Sequence, residues 1–127
     1  MRKPTVAKLK KVADKVFSKW LRKRDKNKCF TCGRFAEHAG HYVSRAFNSL
    51  RYDERNVNAQ CVGCNIFRYG NMDVYALNLI KKHGKDILID LAKDKRKIKQ
   101  FSVKELQDII TKYDTDSKNK EVVARDG

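Results

Sequence analysis

The stretch KCFTCGRFAEHAGHYVSRAFNSLRYDERNVNAQCVGCN, residues 28–65, decides the fold of this chain. It contains all four cysteines, arranged as two Cys-x-x-Cys pairs: Cys29 with Cys32, and Cys61 with Cys64. The N-terminus lacks the apolar core of a secretory signal. In a protein that is not secreted, this spacing is typical of metal binding rather than of disulfides. Structural zinc takes four thiolate or imidazole ligands, so the sequence predicts a structural Zn²⁺ bound by these thiolates.

The segment between the two pairs is long and carries candidate catalytic side chains. Its 28 residues, Gly33 to Gln60, exceed the spacing of about 15–20 that is typical of a compact zinc ribbon. His38 and His41 lie within it, and Asn65 directly follows the second pair. A carboxamide oxygen suits Mg²⁺ or Mn²⁺. Two interpretations stay open: a plain four-cysteine zinc finger with a long loop, or a zinc-bound platform for a second, catalytic metal.

The charge of the chain favours a polyanionic partner. The 127 residues carry a formal net charge of +15. Lysines and arginines that neutralise phosphates release condensed counterions, which favours nucleic acid as the partner. The alternative is a basic surface that is merely solvated. The charge is concentrated in residues 1–28, where we expect these residues to contact DNA: Lys19, Arg22, Lys23 and Arg24.

We expect one domain over residues 1–127, divided into a basic N-terminal helical arm (1–28), a zinc-bound core (29–70), C-terminal helices (71–114) and a polar tail (115–127). Four segments have apolar residues at helical spacing. Their boundaries are marked by Pro4 in a first turn, Asn71, Gly84 and the capping box Ser102–Glu105. Between the cysteine pairs, the sequence predicts short strands and a loop over residues 38–60.

Hydropathy argues against a membrane-spanning role. No apolar stretch reaches the ~18 residues that a membrane helix needs. We therefore expect no membrane partner and a cytoplasmic location.

Five motifs, in their order along the chain, resemble a known family. They are CFTCG, AGHYVSR, LRYDERN, QCVGCN and GNMDVYALNLI, and the resemblance extends from about Cys29 to Tyr113. They are similar to the phage Rap/NinG recombination endonucleases, and more broadly to the His-Asn-His, or ββα-metal, nucleases. The resemblance implies a helix-rich α+β fold: a treble-clef zinc core with a ββα-metal nuclease motif, a basic N-terminal helix and C-terminal helices. It also implies a phage-encoded protein of the host cytoplasm.

The resemblance assigns roles to single residues. His41 matches the general base, and Asn56 matches the central asparagine that holds the histidine-bearing loop. Asn65 matches the last ligand position of the catalytic metal. The chain departs from the pattern at Gly40, where many members have a metal ligand just before the base. His38 is the candidate substitute for that ligand.

The activity implied by the resemblance is structure-specific cleavage of branched DNA, such as Holliday junctions and D-loops, by metal-dependent phosphodiester hydrolysis. Mg²⁺ or Mn²⁺ would be the catalytic cofactor, and two symmetric cuts favour a homodimer. Arg45, Arg51 and Arg55 would contact the DNA backbone; the alternative for each is a surface salt bridge, for instance with Asp53 or Glu54.

Two alternative functions remain open on the sequence. One is a non-enzymatic zinc module that binds branched or single-stranded DNA through stacking aromatic residues. The candidate stacking residues are Trp20, Phe30, Phe35, Tyr42, Phe47, Tyr52, Phe67 and Tyr69. The other is a nuclease of the same fold that cleaves duplex DNA without structural preference.

Overall fold

The computed structural model describes residues 3–114; the predicted polar tail, 115–127, lies outside them. The described chain is a helix-rich α+β fold, as expected. Its regular elements are α1 (Val6–Arg24), β1 (His38–His41), a 3₁₀ turn (Asn48–Leu50), β2 (Val57–Gln60), a π-helical turn (Gly63–Phe67), α2 (Met72–His83), α3 (Ile87–Lys95) and α4 (Val103–Tyr113). None of the described helices combines the length and hydrophobicity that spanning a bilayer requires.

The start of α1 differs from the prediction by about two residues. The Thr5 hydroxyl accepts a hydrogen bond from the Lys8 amide at 3.2 Å, which makes Thr5 the capping residue. Pro4 therefore precedes the cap instead of lying in the first helical turn. A side-chain oxygen is the stronger signal here because it satisfies an amide that the helix leaves unpaired.

The three C-terminal helices confirm the predicted boundaries. Asn71 precedes α2, and Gly84, at φ +99°, ends it in a conformation that favours glycine. In α4, Ser102 and Glu105 form the complete capping box. These boundaries depend on neighbouring residues only, so the local sequence was enough to find them.

The chain divides into two compact units, and α1 contributes to both. The first holds the described residues of Met1–Trp20 and Gln100–Gly127. In it, the Tyr113 ring lies edge-on to Phe17 and Trp20, at centroid distances of 4.8 and 4.7 Å. Such pairs add to the hydrophobic free energy of burying the rings.

The second unit, Leu21–Lys99, contains both cysteine pairs and the whole segment between them. Its sheet is a two-stranded antiparallel hairpin in which His38 pairs with Gln60 and His41 with Val57. All four residues of β2 are buried, including Asn58 and Gln60.

Two apolar clusters stabilise this unit. One is built around the cysteines and includes Ala36 and Ala59. The other joins the loop between the strands to α2 and α3 and contains Leu50, Tyr75, Leu79, Ile87 and Leu91. The first cluster thus packs the hairpin against the cysteines, and the second packs the loop of the hairpin against the helices.

Candidate functional site

The four cysteines come together as a metal site. Their sulfur atoms all lie within 4.8 Å of one another, and no other group of three or more metal-binding side chains occurs in the described chain. Zinc at about 2.3 Å from each sulfur of a tetrahedron requires sulfurs about 3.8 Å apart. One pair, Cys32 and Cys61, has its sulfurs 3.5 Å apart, so the cluster has close to the spacing that Zn²⁺ needs.

The ionisation of the thiols also fits a bound cation. Burial raises the pKa of Cys29, but hydrogen bonds from the Thr31 hydroxyl and nearby backbone groups outweigh it and lower the pKa to about 6. At Cys32 a backbone hydrogen bond near Arg34 lowers the pKa, yet burial and three neighbouring thiols together raise it to about 12. Four thiolates at this spacing need a cation to ionise together, and Zn²⁺ supplies that charge.

Hydrogen bonds link the cysteine cluster to its surroundings. The Cys64 amide donates to Cys61 Sγ at 3.4 Å, and Asn71 Nδ2 lies 3.7 Å from Cys64 Sγ. The Gln60 amide group donates to the Thr31 hydroxyl at 3.2 Å. The cysteine pairs, β2 and the start of α2 therefore form one connected structure.

Asn56 fixes the loop between the strands, residues 42–56. Its side chain is fully buried. Asn56 Oδ1 accepts from the Val43 amide at 2.8 Å, while Nδ2 donates to the Val43 carbonyl at 2.9 Å and to the Leu50 carbonyl at 3.2 Å. One side chain thus ties both the start and the middle of the loop to its end.

His41, the last residue of β1, is oriented by this loop. Its Nε2 lies 2.9 Å from the Arg51 carbonyl oxygen. A carbonyl oxygen can only accept, so the ring donates from Nε2 and the neutral imidazole carries its lone pair on Nδ1. The loop therefore selects both the orientation and the tautomer of His41.

His38 and Asn65 come together at the other end of β1. His38 Nδ1 lies 3.1 Å from Asn65 Nδ2, and both side chains are partly buried. Asn65 lies in the π-helical turn directly after Cys64. His38 and Asn65, the two residues expected to bind a second metal, therefore lie together next to the cysteines.

The two histidines do not share a face of the hairpin. Side chains alternate along a strand, so His38 and Gly40 project to one face and His41 to the other. A Cβ on Gly40 would lie 1.9 Å from Gln60 Oε1. Position 40 therefore cannot present a ligand here, since the buried Gln60 side chain fills that space.

The three loop arginines differ in their surroundings. Arg55 makes ion pairs of 2.7 Å with both Asp53 and Asp94, and these contacts raise its pKa. Arg55 therefore forms salt bridges, which was the alternative to a contact with the DNA backbone. Arg51 donates to the Arg45 carbonyl at 2.8 Å, and Arg45 is exposed.

The basic residues of α1 also divide into two kinds. Lys19 and Lys23 are exposed. Arg22 donates to the Glu37 carbonyl, and Arg24 donates to the Val57 carbonyl at 3.0 Å as well as pairing with Asp25. The two lysines are available to a polyanion. The two arginines instead attach the last turn of α1 to the rest of the second unit.

One buried network is not predicted by the sequence. The Tyr75 hydroxyl donates to the Gly40 carbonyl at 2.6 Å and accepts from Asn58 Nδ2 at 3.2 Å. Burial raises the pKa of Tyr75 well above its usual range, so the hydroxyl keeps its proton. In β2, Asn58 and Gln60 alternate with the apolar residues Val57 and Ala59. Such alternation normally indicates that the polar side chains face solvent, so the sequence gives no sign that these two are buried.

The chain is a helix-rich α+β protein whose four-cysteine cluster has the composition and spacing of a zinc site. The sequence model described as the bacteriophage lambda NinG protein matches residues 2–122, and the chain belongs to this NinG family. No solved structure matches the chain.

Curated relatives carry the same family name. The ninG protein of Escherichia phage 933W is 32% identical over 108 residues, which cover 81% of this chain and 53% of that protein. The ninG protein of Salmonella phage P22 is 38% identical over 79 residues, or 58% of this chain and 39% of that protein. That of Escherichia phage lambda is 30% identical over 108 residues, covering 81% and 52%. The chain spans about half the length of the curated relatives it matches.

Proposed function

We propose that this protein is a metal-dependent DNA endonuclease of the ββα-metal type, built on a treble-clef zinc core, that cleaves branched recombination intermediates. The observation that carries the proposal is the hydrogen bond between His41 Nε2 and the Arg51 carbonyl, in a loop held by the buried Asn56. A histidine with a fixed tautomer and an acceptor nitrogen on Nδ1 has the form that a general base requires.

In the proposed reaction, His41 Nδ1 takes a proton from the water that attacks the scissile phosphate. Imidazole suits this role because its ordinary titration range is close to neutral pH. The Arg51 carbonyl stabilises the imidazolium that forms, since an N–H that gains positive character makes a stronger hydrogen bond to a carbonyl oxygen.

Asn65 is the proposed protein ligand of a catalytic Mg²⁺ or Mn²⁺, which would stabilise the negative charge of the leaving oxygen. Because His41 lies on the opposite face of β1 from His38, which contacts Asn65, the scissile phosphate would have to reach both faces at the edge of the hairpin. His38 Nδ1 accepts from Asn65 Nδ2, which leaves Asn65 Oδ1 to face the metal. We therefore assign His38 to positioning Asn65. A direct ligand role for His38, expected from the sequence, would require the Asn65 carboxamide to turn over, so that its amide group no longer occupies His38 Nδ1.

The test compares His41→Ala with wild type on a four-way DNA junction in the presence of Mg²⁺ or Mn²⁺. We expect the variant to lose about 10²–10⁴-fold in cleavage rate while its DNA affinity stays close to wild type, because a general base contributes this factor to the chemical step. His83→Ala is the matched control, since His83 is the third histidine and is exposed on α2. Cleavage by His41→Ala at the wild-type rate would refute the assignment of the base.

The same assay separates the alternatives. Equal rates on a junction and a linear duplex of the same sequence would indicate a nuclease without structural preference. Tight binding without cleavage in any divalent metal would indicate a zinc module that only binds DNA. A homodimer, expected from the sequence, stays a prediction that sedimentation of the protein–junction complex can check.

A further inference from the structure

Three aromatic side chains beside the cysteine cluster are exposed. Phe35, Phe67 and Tyr69 leave 68%, 76% and 88% of their surface accessible. Within residues 3–114 none of them stacks on another ring. Aromatic side chains usually bury most of their area, so this group is unusual in a protein with two apolar clusters in its larger unit.

Phe67 lines a groove that has the chemistry of a nucleotide site. The groove has a volume of about 390 Å³. Three of the four cysteines line it, Phe67 is its one aromatic residue, and its charged residues are Arg34 and Arg68. Within the described chain, neither guanidinium has a hydrogen bond or an acidic partner. The nearest acidic residue in sequence to Arg34 is Glu37, whose carboxylate accepts from the Val62 amide instead.

The backbone holds the exposed tyrosine outward in a costly conformation. Tyr69, Gly70 and Asn71 are three consecutive residues with positive φ, at +51°, +88° and +49°. A left-handed conformation costs a bulky residue about 1–2 kcal/mol. The turn persists because the Gly70 amide donates to the Cys64 carbonyl and the Gly70 carbonyl accepts from Gln60, both at 2.8 Å. Strain of this kind is concentrated at functional sites.

We propose that this groove binds an unpaired nucleotide of single-stranded DNA, with the base stacked on Phe67 and the flanking phosphates paired with Arg34 and Arg68. Every base has a π face, so a lone exposed ring provides affinity without sequence preference. Two guanidinium groups without acidic partners match phosphate oxygens on either side of that base.

Two competing roles for the groove residues lead to different experimental results. In the first, Arg34 and Arg68 only offset the formal charge of −2 on a zinc ion with four thiolates, which couples these arginines to zinc affinity. In the second, Phe67 contacts another protein or a second copy of this chain through its hydrophobic area, and any apolar side chain at position 67 would serve.

The experiment measures fluorescence anisotropy of a labelled oligothymidylate with the zinc-loaded protein, in buffer without Mg²⁺ or Mn²⁺. We expect Phe67→Ala to weaken binding by about 5- to 150-fold, the range for loss of one base–aromatic stack. Phe67→Leu should lose most of the same affinity. Leu77→Ala, at an apolar residue of α2 that is 60% exposed, is the matched control and should bind as wild type does.

Arg34→Gln and Arg68→Gln should each lower the slope of log affinity against log salt by about 0.7, as expected for one lost phosphate contact on a single strand. Arg96→Gln, at an exposed arginine outside the groove, is their control. Normal oligothymidylate binding by Phe67→Leu, or weaker zinc retention with unchanged binding in the arginine variants, would overturn the proposal.

This inference rests on the proposed function only in taking DNA as the ligand, and its assay needs no cleavage. A protein that never cuts DNA but loses oligothymidylate binding with Phe67→Ala would refute the nuclease and keep the groove. If the wild-type protein cuts junctions and the Phe67→Ala variant binds oligothymidylate normally, the groove proposal is refuted and the nuclease proposal is kept.

Discussion

At the scale of single residues, Gly40 shows how a small side chain can be required by a neighbour that is distant in sequence. The Gln60 side chain fills the space where a Cβ on residue 40 would lie. In that position its amide group donates to the Gly70 carbonyl and to the Thr31 hydroxyl. Glycine at position 40 therefore allows Gln60 to connect the hairpin with the cysteine cluster and with the turn before α2.

We expect Gly40→Ala to lower the free energy of unfolding by about 1–3 kcal/mol, because the added methyl group displaces a fully buried side chain. Urea denaturation measures the change. The same substitution in a Gln60→Ala background is the control, since the added Cβ then has room. An equal loss of stability in both backgrounds would show that the clash with Gln60 is not the cause.

Asn56 is the second residue whose effect extends beyond its own position. Asn56→Ala leaves the Val43 amide and carbonyl without their Asn56 partner and removes one of two hydrogen bonds to the Leu50 carbonyl, and each buried group left unpaired costs about 1–3 kcal/mol. We expect a lower urea midpoint and faster proteolysis within residues 42–56. Asn48→Ala is the control, because it removes one hydrogen bond, to the Lys99 carbonyl, from the same loop. Equal midpoints for the two variants would contradict the central role of Asn56.

At the scale of elements, the loop between the strands is attached to the end of α3. Arg55 pairs with Asp94, and the Ser49 hydroxyl donates to the Asp94 carbonyl at 2.7 Å. The hydrogen bond from Arg55, together with that from Lys97, lowers the pKa of the Asp94 carboxyl. The last turn of α3 thus supports the loop that orients His41.

We expect Arg55→Gln to reduce stability by about 0.5–1 kcal/mol, as for other partly exposed ion pairs. A carboxyl with a lowered pKa contributes its stability above the pKa of the unfolded state and loses it as pH falls through the folded-state pKa. The loss should therefore be constant from about pH 8 to pH 6. Lys97→Gln is the control, since Lys97 contacts the same carboxylate but is 72% exposed, and its effect should be smaller. A loss that changes within this pH range would indicate a different titrating group.

The elements show what sequence reasoning could and could not reach. Helix boundaries followed from caps such as the Ser102 box and from Gly84, because those signals act within one turn of chain. The burial of Asn58 and Gln60 did not follow, since their partners Tyr75 and Gly70 are contributed by a later segment. Long-range hydrogen bonds reverse the usual meaning of polar alternation, and a local pattern contains no information about them.

The candidate site divides in the same way. The cysteine cluster and the position of Asn65 beside it followed from spacing alone. The ion pair of Arg24 did not, and for Arg55 the sequence left a salt bridge with Asp53 and a DNA contact as equal alternatives, because an exposed cation and one in an ion pair look alike in sequence. The distribution of the two histidines over both faces of β1 became apparent only once the strand was located.

At the scale of the whole molecule, we expect the larger unit to depend on zinc bound by the four cysteines. Cys61→Ser should lose zinc and be largely unfolded at about 25 °C, because structural zinc contributes roughly 10–16 kcal/mol against a typical net stability of about 5–15 kcal/mol. Circular dichroism and zinc content measure this. Wild type treated with a chelator should unfold in the same way and refold when zinc is returned, whereas the variant should not recover. A folded Cys61→Ser protein without metal would refute a structural role for zinc.

The way the loop held by Asn56 is attached limits how chimeras of related proteins can be built. The loop begins and ends next to one residue pair of the hairpin, His41 with Val57. Replacing the loop would therefore leave the positions of the cysteines unchanged. Its outer side is fastened to residues 94–99 through the contacts of Asp94 and Lys99. A functional graft must therefore transfer two separate pieces of chain together, the loop and the end of α3, and a chimera with only one of them would carry a loop that its host does not support.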